Sequence, residues 1–227
     1  NTIGVFQFES DGMREYIKQF KPSCIDEIVA LTSLYRPGPM ANIPEFINRK
    51  FGKSKIKYLH PSLEEVLKET YGIIVYQEQV MQIASKIGGF TLSESDLMRA
   101  AMGKKKKNLM ASFKVKFVEG ATNQKINKKT AIEIFELLEK FAQYGFNKSH
   151  AVAYSIIAYQ TAWLKYHYPA EFLTANISSD INDTDRLVKL LADAKRLKIS
   201  IKPPNINLSE ADFKILDDKT IQFGLAA

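Results

Sequence analysis

Along most of the first 198 residues the apolar positions fall three or four apart, the period of helices that pack on one side. After Ser23-Cys24-Ile25-Asp26, a capping-box pattern with Asp at its fourth position, Ile25, Ile28, Val29 and Leu31 follow at helical spacing, and Arg36-Pro37-Gly38-Pro39 stops the run. His60-Pro61-Ser62 opens a short helix through Leu67, broken at Tyr71-Gly72. Ile73 to Tyr76 forms a brief extended entry to a helix from Gln77 to Ile87, which aligns Val80, Ile83, Ala84 and Ile87 before Gly88-Gly89 ends it. Ser93 through Asp96 starts a further helix to about Met102, and a basic helix runs from about Asn108 to Glu119.

Asn127 caps the next helix, whose stripe is Ala131, Ile134, Phe135, Leu138 and Phe141 and whose other face alternates Lys and Glu. From about Ser149 to Tyr168 the chain is apolar nearly all round, which predicts a helix buried in the middle of its domain. Pro169 separates a helix from Ala170 to about Ser178, and Asp183 caps Asp185 to Lys198. Beyond Ile199 the period is lost at Pro203-Pro204, and "DFKILDDKTIQFG" alternates about Asp217-Asp218 as a β-hairpin does. The predicted fold class is mainly α: a multi-helix body over residues 1–198 and a small β-containing segment over 199–227.

A chain of 227 residues that is 45% hydrophobic can bury one large core or two small ones. Lys and Arg outnumber Asp and Glu by 32 to 25, and the net charge of +7 favours polyanionic partners over acidic proteins. Cys24 is the only cysteine, which excludes an internal disulfide and a Cys-based zinc site and fits a reducing cytoplasm. No apolar run approaches the ~20 residues of a membrane span and no cleavable signal is present, so the expectation is a soluble chain with no membrane partner. It begins at Asn1 rather than Met and stops at Gly224-Leu225-Ala226-Ala227 just after strand-like residues, which suggests a piece of something larger.

Catalytic motifs are missing: there is no GxSxG, HExxH or P-loop, and His60, His150 and His167 lack companions at metal-ligand spacing. No catalytic residue and no metal ligand is therefore assigned. Asp183-Thr184-Asp185 has a DxD form that can hold Mg2+, but Asp183 as N-cap and Asp185 in the first turn serve the helix itself. The lysines Lys104 to Lys107, with Lys114 and Lys116 beyond, either neutralise phosphates or form a solvated charge block, and Arg99 lies a turn upstream. Arg36, at the mouth of a Pro-Gly-Pro turn, can grip a phosphate with its fork or merely follow a helix stop, and Gln77, Glu78 and Gln79 form a polar first turn. In "YGFNKSH", residues 144 to 150, Asn147 or Lys148 falls at the head of the long helix. First-turn N–H groups, the Lys148 ammonium, the Ser149 hydroxyl and the His150 ring then make a triphosphate-sized donor set, or an ordinary polar cap. Tyr144 and Phe146 add aromatic surface suited to a base or sugar, or to the core.

Six blocks, "GVFQFES-GM" at 4 to 13, "YRPGPM" at 35 to 40, "YGIIVYQEQVMQIA" at 71 to 84, "MRAAMGKKK" at 98 to 106, "YGFNKSHAVAYS" at 144 to 155 and "YQTAWLKYHYPAEF" at 159 to 172, together resemble the bacterial DNA polymerase III alpha subunits, replicative polymerases of the C family. Order and spacing agree over all 227 residues. The resemblance implies a fingers domain at 1–198, following the catalytic palm, and at 199–227 the start of a β-containing segment leading toward the helix-hairpin-helix region. The family's metal-holding aspartates lie in the palm, upstream of Asn1, so these residues are expected to be inactive alone. In the intact enzyme two Mg2+ ions would stabilise the attacking primer hydroxyl and the leaving pyrophosphate, while the fingers position dNTP and primer-template DNA. The sliding clamp and other replisome subunits would bind parts of the parent chain not present here.

By the same resemblance Arg99 lies near the triphosphate and residues 144–150 line the nucleotide pocket. Nucleotide contacts are thus expected from Arg99, Tyr144, Asn147, Lys148, Ser149, His150 and Arg36, and DNA contacts from Lys104, Lys105, Lys106, Lys107 and Lys114. The chain departs from the family pattern at Ala100, where many relatives carry a second arginine; either Arg99 suffices or another cation compensates, with Arg36, Lys104 and Lys148 the candidates. The alternatives are a non-catalytic helical nucleic-acid-binding module, which needs only the lysine cluster, and a helical protein-interaction scaffold.

Overall fold

The computed structural model describes residues 1–103, 107–142 and 144–226. Eleven α-helices and one three-stranded sheet among the described residues make the protein mainly α. The chain divides into two compact units, one of Gln19–Ala153 and one of Asn1–Lys18 with Tyr154–Ala227. Two helices, α1 (Asp11–Phe20) and α9 (Lys148–His167), hold residues of both.

The Gln19–Ala153 unit carries α2 (Ile25–Leu34), α3 (Ile43–Lys50), α4 (Glu64–Leu67), α5 (Gln77–Gly88), α6 (Leu92–Gly103), α7 (Lys107–Asn123) and α8 (Lys128–Ala142). Several starts follow the sequence signals. Asn127 Oδ1 accepts the Lys129 N–H at 2.8 Å ahead of α8, and Gly89 closes α5 with φ +68°. Other starts differ. At α2 the side chain that reaches back is Glu27, not Asp26: its carboxylate accepts the Ser23 N–H at 2.6 Å and the Ser23 hydroxyl at 3.0 Å. Helix α6 begins earlier than Ser93, because Thr91 and Glu94 cap each other reciprocally, Thr91 N–H to Glu94 at 3.0 Å and Glu94 N–H to the Thr91 hydroxyl at 3.3 Å. The polar first turn of α5 also does more than face water: buried Gln79 accepts the Val75 and Tyr76 N–H groups at 2.8 and 3.1 Å and donates to the Val66 carbonyl and the Thr70 hydroxyl.

The core of this unit is filled from α5, α6, α7 and α8, with Phe90, Phe117 and Phe135 ring on ring at 5.5 to 6.2 Å. Two glycines allow α5 and α7 to close. A Cβ built on Gly120 would lie 1.9 Å from the Gly88 carbonyl oxygen, and one on Gly88 would lie 2.5 Å from the Phe117 ring. Beside this core Glu27, buried at 4% exposure, is held by the Lys50 ammonium at 2.7 Å and the Tyr71 hydroxyl at 2.6 Å. Lys50 also donates to the Lys21 carbonyl at 2.8 Å and lies 4.4 Å from the centre of the Phe20 ring.

In the other unit, α10 (Pro169–Ser179) and α11 (Thr184–Arg196) cover a sheet of β1 (Ser200–Lys202), β2 (Lys214–Asp217) and β3 (Thr220–Gln222). Pro169 stands at the first turn of α10, and Asp183 Oδ1 accepts the Arg186 N–H at 3.0 Å, so Asp183 is the cap of α11. The hairpin is present as β2 antiparallel to β3, and β1 adds to the far edge of β3 in parallel, Ile201 opposite Ile221.

The expectation of a buried α9 is overturned. Ile156 is 44% exposed, Trp163 42% and Leu164 44%, while the hidden side holds Ala151, Ser155 and Ala158. Apolar residues distributed all round fix that a helix is apolar, not which side is covered. Here small side chains take the close-packed side and bulky ones face outward.

Candidate functional site

Residues 144–147 lead into α9, whose first turn holds residues 148–150, and are tied to the head of α5. The Phe146 N–H donates to the Val75 carbonyl at 3.0 Å and the Gln77 N–H to the Phe146 carbonyl at 2.9 Å, so Tyr76 and Phe146 form a parallel bridge. Gly145 lies so close to Gln77 that an added Cβ would stand 3.2 Å from its side chain, and Gln77 Nε2 donates to the Gly145 carbonyl at 3.1 Å. These bonds set where α9 starts. Asn147 Oδ1 accepts the His150 N–H at 2.8 Å, which makes Asn147 the N-cap and exposes the Lys148 N–H at the helix head.

That head already holds an anion. Both oxygens of Glu78 accept the Lys148 N–H at 3.0 Å, and Glu78 Oε1 also accepts from Asn147 Nδ2 at 3.1 Å. The Lys148 ammonium is paired with Glu69 at 2.7 Å and lies 5.2 Å from the centre of the Tyr76 ring. Burial, then the Glu69, Asp26 and Glu78 carboxylates, push the Tyr76 hydroxyl far above the ordinary tyrosine range, so it remains a neutral neighbour.

Arg36 and Arg99 reach the same loop from two other elements. Arg36 follows α2, donates from Nε to the Ser33 carbonyl at 2.9 Å and from Nη2 to the Tyr144 carbonyl at 2.8 Å, and stacks 4.3 Å from the centre of the Phe146 ring. Burial lowers its pKa without neutralising it. Gly38, at φ +98°, makes room for Tyr144: a Cβ there would come within 2.8 Å of the ring. Arg99, on α6, is forked onto Asp96 at 2.7 and 2.9 Å and reaches Gln77 Oε1 at 3.3 Å, which links it through Gln77 to Gly145.

The structure therefore gathers Arg36, Arg99, Tyr144, Asn147 and Lys148 about one loop, with the Ser149 and His150 side chains at its exposed edge. Lys114 is turned to α8, where it pairs with Glu136 at 2.9 Å, and Lys116 pairs with Glu94. Lys104, Lys105 and Lys106 lie outside the described residues, as does the side chain of Lys107. The acidic partners Glu69, Glu78 and Asp96 were not singled out by the sequence as site residues. Glu78 is 70 positions from Lys148 and Glu69 is 79, and no local pattern signals pairings so distant. Among the described residues no group of three or more His, Cys, Asp or Glu could hold a metal ion, and no helix is long and apolar enough to cross a membrane.

Chemically, the loop offers three cations and a helix N-terminus, two of the cations and the N-terminus matched by carboxylates. Such donors can exchange partners: the oxygen of another anion can take the place of a carboxylate oxygen on the same donor.

Comparison with known proteins bears on the family of the chain. The family model described as the bacterial DNA polymerase III alpha subunit finger domain matches residues 1–125. Proteins named DNA polymerase III subunit alpha are similar over nearly the whole chain: that of Caulobacter vibrioides is 54% identical over 94% of it, that of Borreliella burgdorferi 52% over 99%, and that of Pseudomonas aeruginosa 49% over 100%. The chain spans about a fifth of the length of these relatives.

Proposed function

The chain belongs to the family of bacterial DNA polymerase III alpha subunit finger domains, and on that premise we propose that it positions the incoming dNTP and the primer-template DNA in a DNA-directed DNA polymerase. The observation that carries this reading is the convergence of Arg36, Arg99 and Lys148 on residues 144–150. Their roles divide by geometry. Lys148 and the α9 N-terminus take the outer phosphates once Glu69 and Glu78 are displaced, Arg99 supplies a second cation on leaving Asp96, and Arg36 holds the Tyr144 carbonyl and so fixes the loop. With Ala at position 100, Lys148, held at the same loop, carries the charge of a second arginine.

In this reading residues 1–198 are the fingers and 199–227 open the β-containing segment that follows. The DNA contacts fall to Lys104, Lys105, Lys106, Lys107 and Lys114. The two Mg2+ ions belong to palm aspartates outside these residues, so the 227 residues alone have no polymerase activity. No step here runs through the metals: these side chains bind, orient and neutralise the nucleotide. The sliding clamp and other replisome subunits bind elsewhere on a chain of the relatives' length, in the cytoplasm.

The test is steady-state incorporation by a polymerase of the relatives' length carrying this sequence. Lys148→Ala and Arg99→Ala should each lower kcat/KM for dNTP about tenfold or more, as loss of a charge-assisted phosphate contact does. Unchanged kinetics in both variants would remove the nucleotide site from this loop.

A further inference from the structure

The block at residues 4–10 takes no part in the loop described above, yet it forms one wall of a cleft. In the unit of Asn1–Lys18 and Tyr154–Ala227, a cleft of about 470 Å³ lies between these residues and a second wall that includes Thr161, Asn176 and Arg186. Its volume is within the ~300–1,000 Å³ of small-ligand sites and ample for one nucleoside.

The composition of the walls selects the ligand. Phe6 is 36% exposed, its ring is backed by Tyr154 with centroids 5.4 Å apart, and its N–H is fixed to the Thr161 hydroxyl at 3.2 Å. The next residue, Gln7, holds a left-handed backbone at φ +62°, a conformation unusual for a side chain of its kind. Its exposed amide has no hydrogen-bond partner among the described residues. The cation of the cleft is spoken for: Arg186 is clasped by Asp180 at 2.9 Å and by Glu9. One guanidinium against two carboxylates leaves no cation in the cleft free for a phosphate, so what enters is a base and not its phosphate. An uncharged flat ring with donors and acceptors on its edge satisfies every wall: stacking on Phe6 and two-way hydrogen bonding to the Gln7 amide.

We propose that this cleft receives an unpaired nucleobase of the single-stranded template, stacked on Phe6 and held at its edge by Gln7. The identity of the strand rests on the DNA-polymerase reading above; the chemistry of the cleft does not. The measurement is the Kd of a polymerase of the relatives' length carrying this sequence for primed DNA. Its single-stranded overhang carries either natural bases or abasic sites. Base stacking contributes about 1–3 kcal/mol per base, so the natural overhang should bind about tenfold more tightly. Phe6→Ala should abolish that preference and leave abasic binding unchanged. Gln7→Gly, which suits the left-handed backbone and preserves the turn, should reduce the preference in part. Equal weakening on both DNAs, or no change on either, overturns the proposal. The dNTP kinetics of Lys148→Ala and Arg99→Ala are read separately, so the cleft and the loop can fail independently.

Discussion

Lys50→Met is expected to lower the unfolding free energy of the chain by about 3–5 kcal/mol, the usual cost of removing one partner from a buried ion pair. The Lys50 ammonium lies 2.7 Å from a Glu27 carboxylate that is almost fully enclosed, and methionine fills the volume without the charge. Tyr71 and Ser23 continue to donate, but they cannot neutralise the anion that remains. Urea denaturation at neutral pH measures the loss; a change below about 1 kcal/mol would contradict it. The same site dictates an acid dependence. Burial on its own pushes the Glu27 carboxyl up, and hydrogen bonds from Lys50, Tyr71 and Ser23 outweigh it, holding the group at about 2 against an ordinary 4.5. A depressed folded-state pKa means stability that is present above about pH 4.5 and disappears as pH falls toward 2. Glu27→Gln should flatten that part of the stability profile.

Gly120→Ala should cost about 3 kcal/mol or more, at the upper end of what overpacking a core does. The new methyl would meet the Gly88 carbonyl at 1.9 Å, backbone against backbone, so no side chain can rotate away. Relief requires α7 to withdraw from α5, and α7 carries Phe117, which packs on both Phe90 and Phe135. Gly103→Ala is the control, because a Cβ there meets nothing within 4 Å. A Tm for Gly120→Ala equal to that of Gly103→Ala would refute the close helix crossing.

The sequence exposed what is decided over a few residues. Asn127 and Asp183 cap the helices they precede because the bond runs to an N–H two or three positions on, and Gly89 stops α5 because it takes a left-handed conformation. For α2 and for α4 to α11 helix identity was likewise legible from spacing, and so was the hairpin, whereas α1 and α3 were not read from it. Burial of α9 was not, since an apolar residue is the same letter on either side of a helix, and the packing of Ala151 and Ala158 rather than Ile156 and Leu164 is settled by distant residues. Strand β1 was hidden for a related reason: three residues cannot announce a parallel partner twenty positions away. For the candidate loop, the cations and the cap could be named from the sequence. The carboxylates that hold them could not, because Glu69 and Glu78 reach Lys148 only after α5 and α9 have been brought head to head.

That head-to-head placement has an electrostatic consequence. Glu78 sits in the first turn of α5 and accepts from the first N–H of α9, so one carboxylate faces the positive ends of two macrodipoles, each about half a unit charge. Its single negative charge matches their sum. If Glu78 swings out, two like poles are left without the carboxylate between them, a position that another anion can fill. On the proposed reading, departure of the side chain and arrival of a phosphate oxygen are two halves of one ion exchange at this junction. Binding by this route depends less on ionic strength than a bare cluster of lysines would make it.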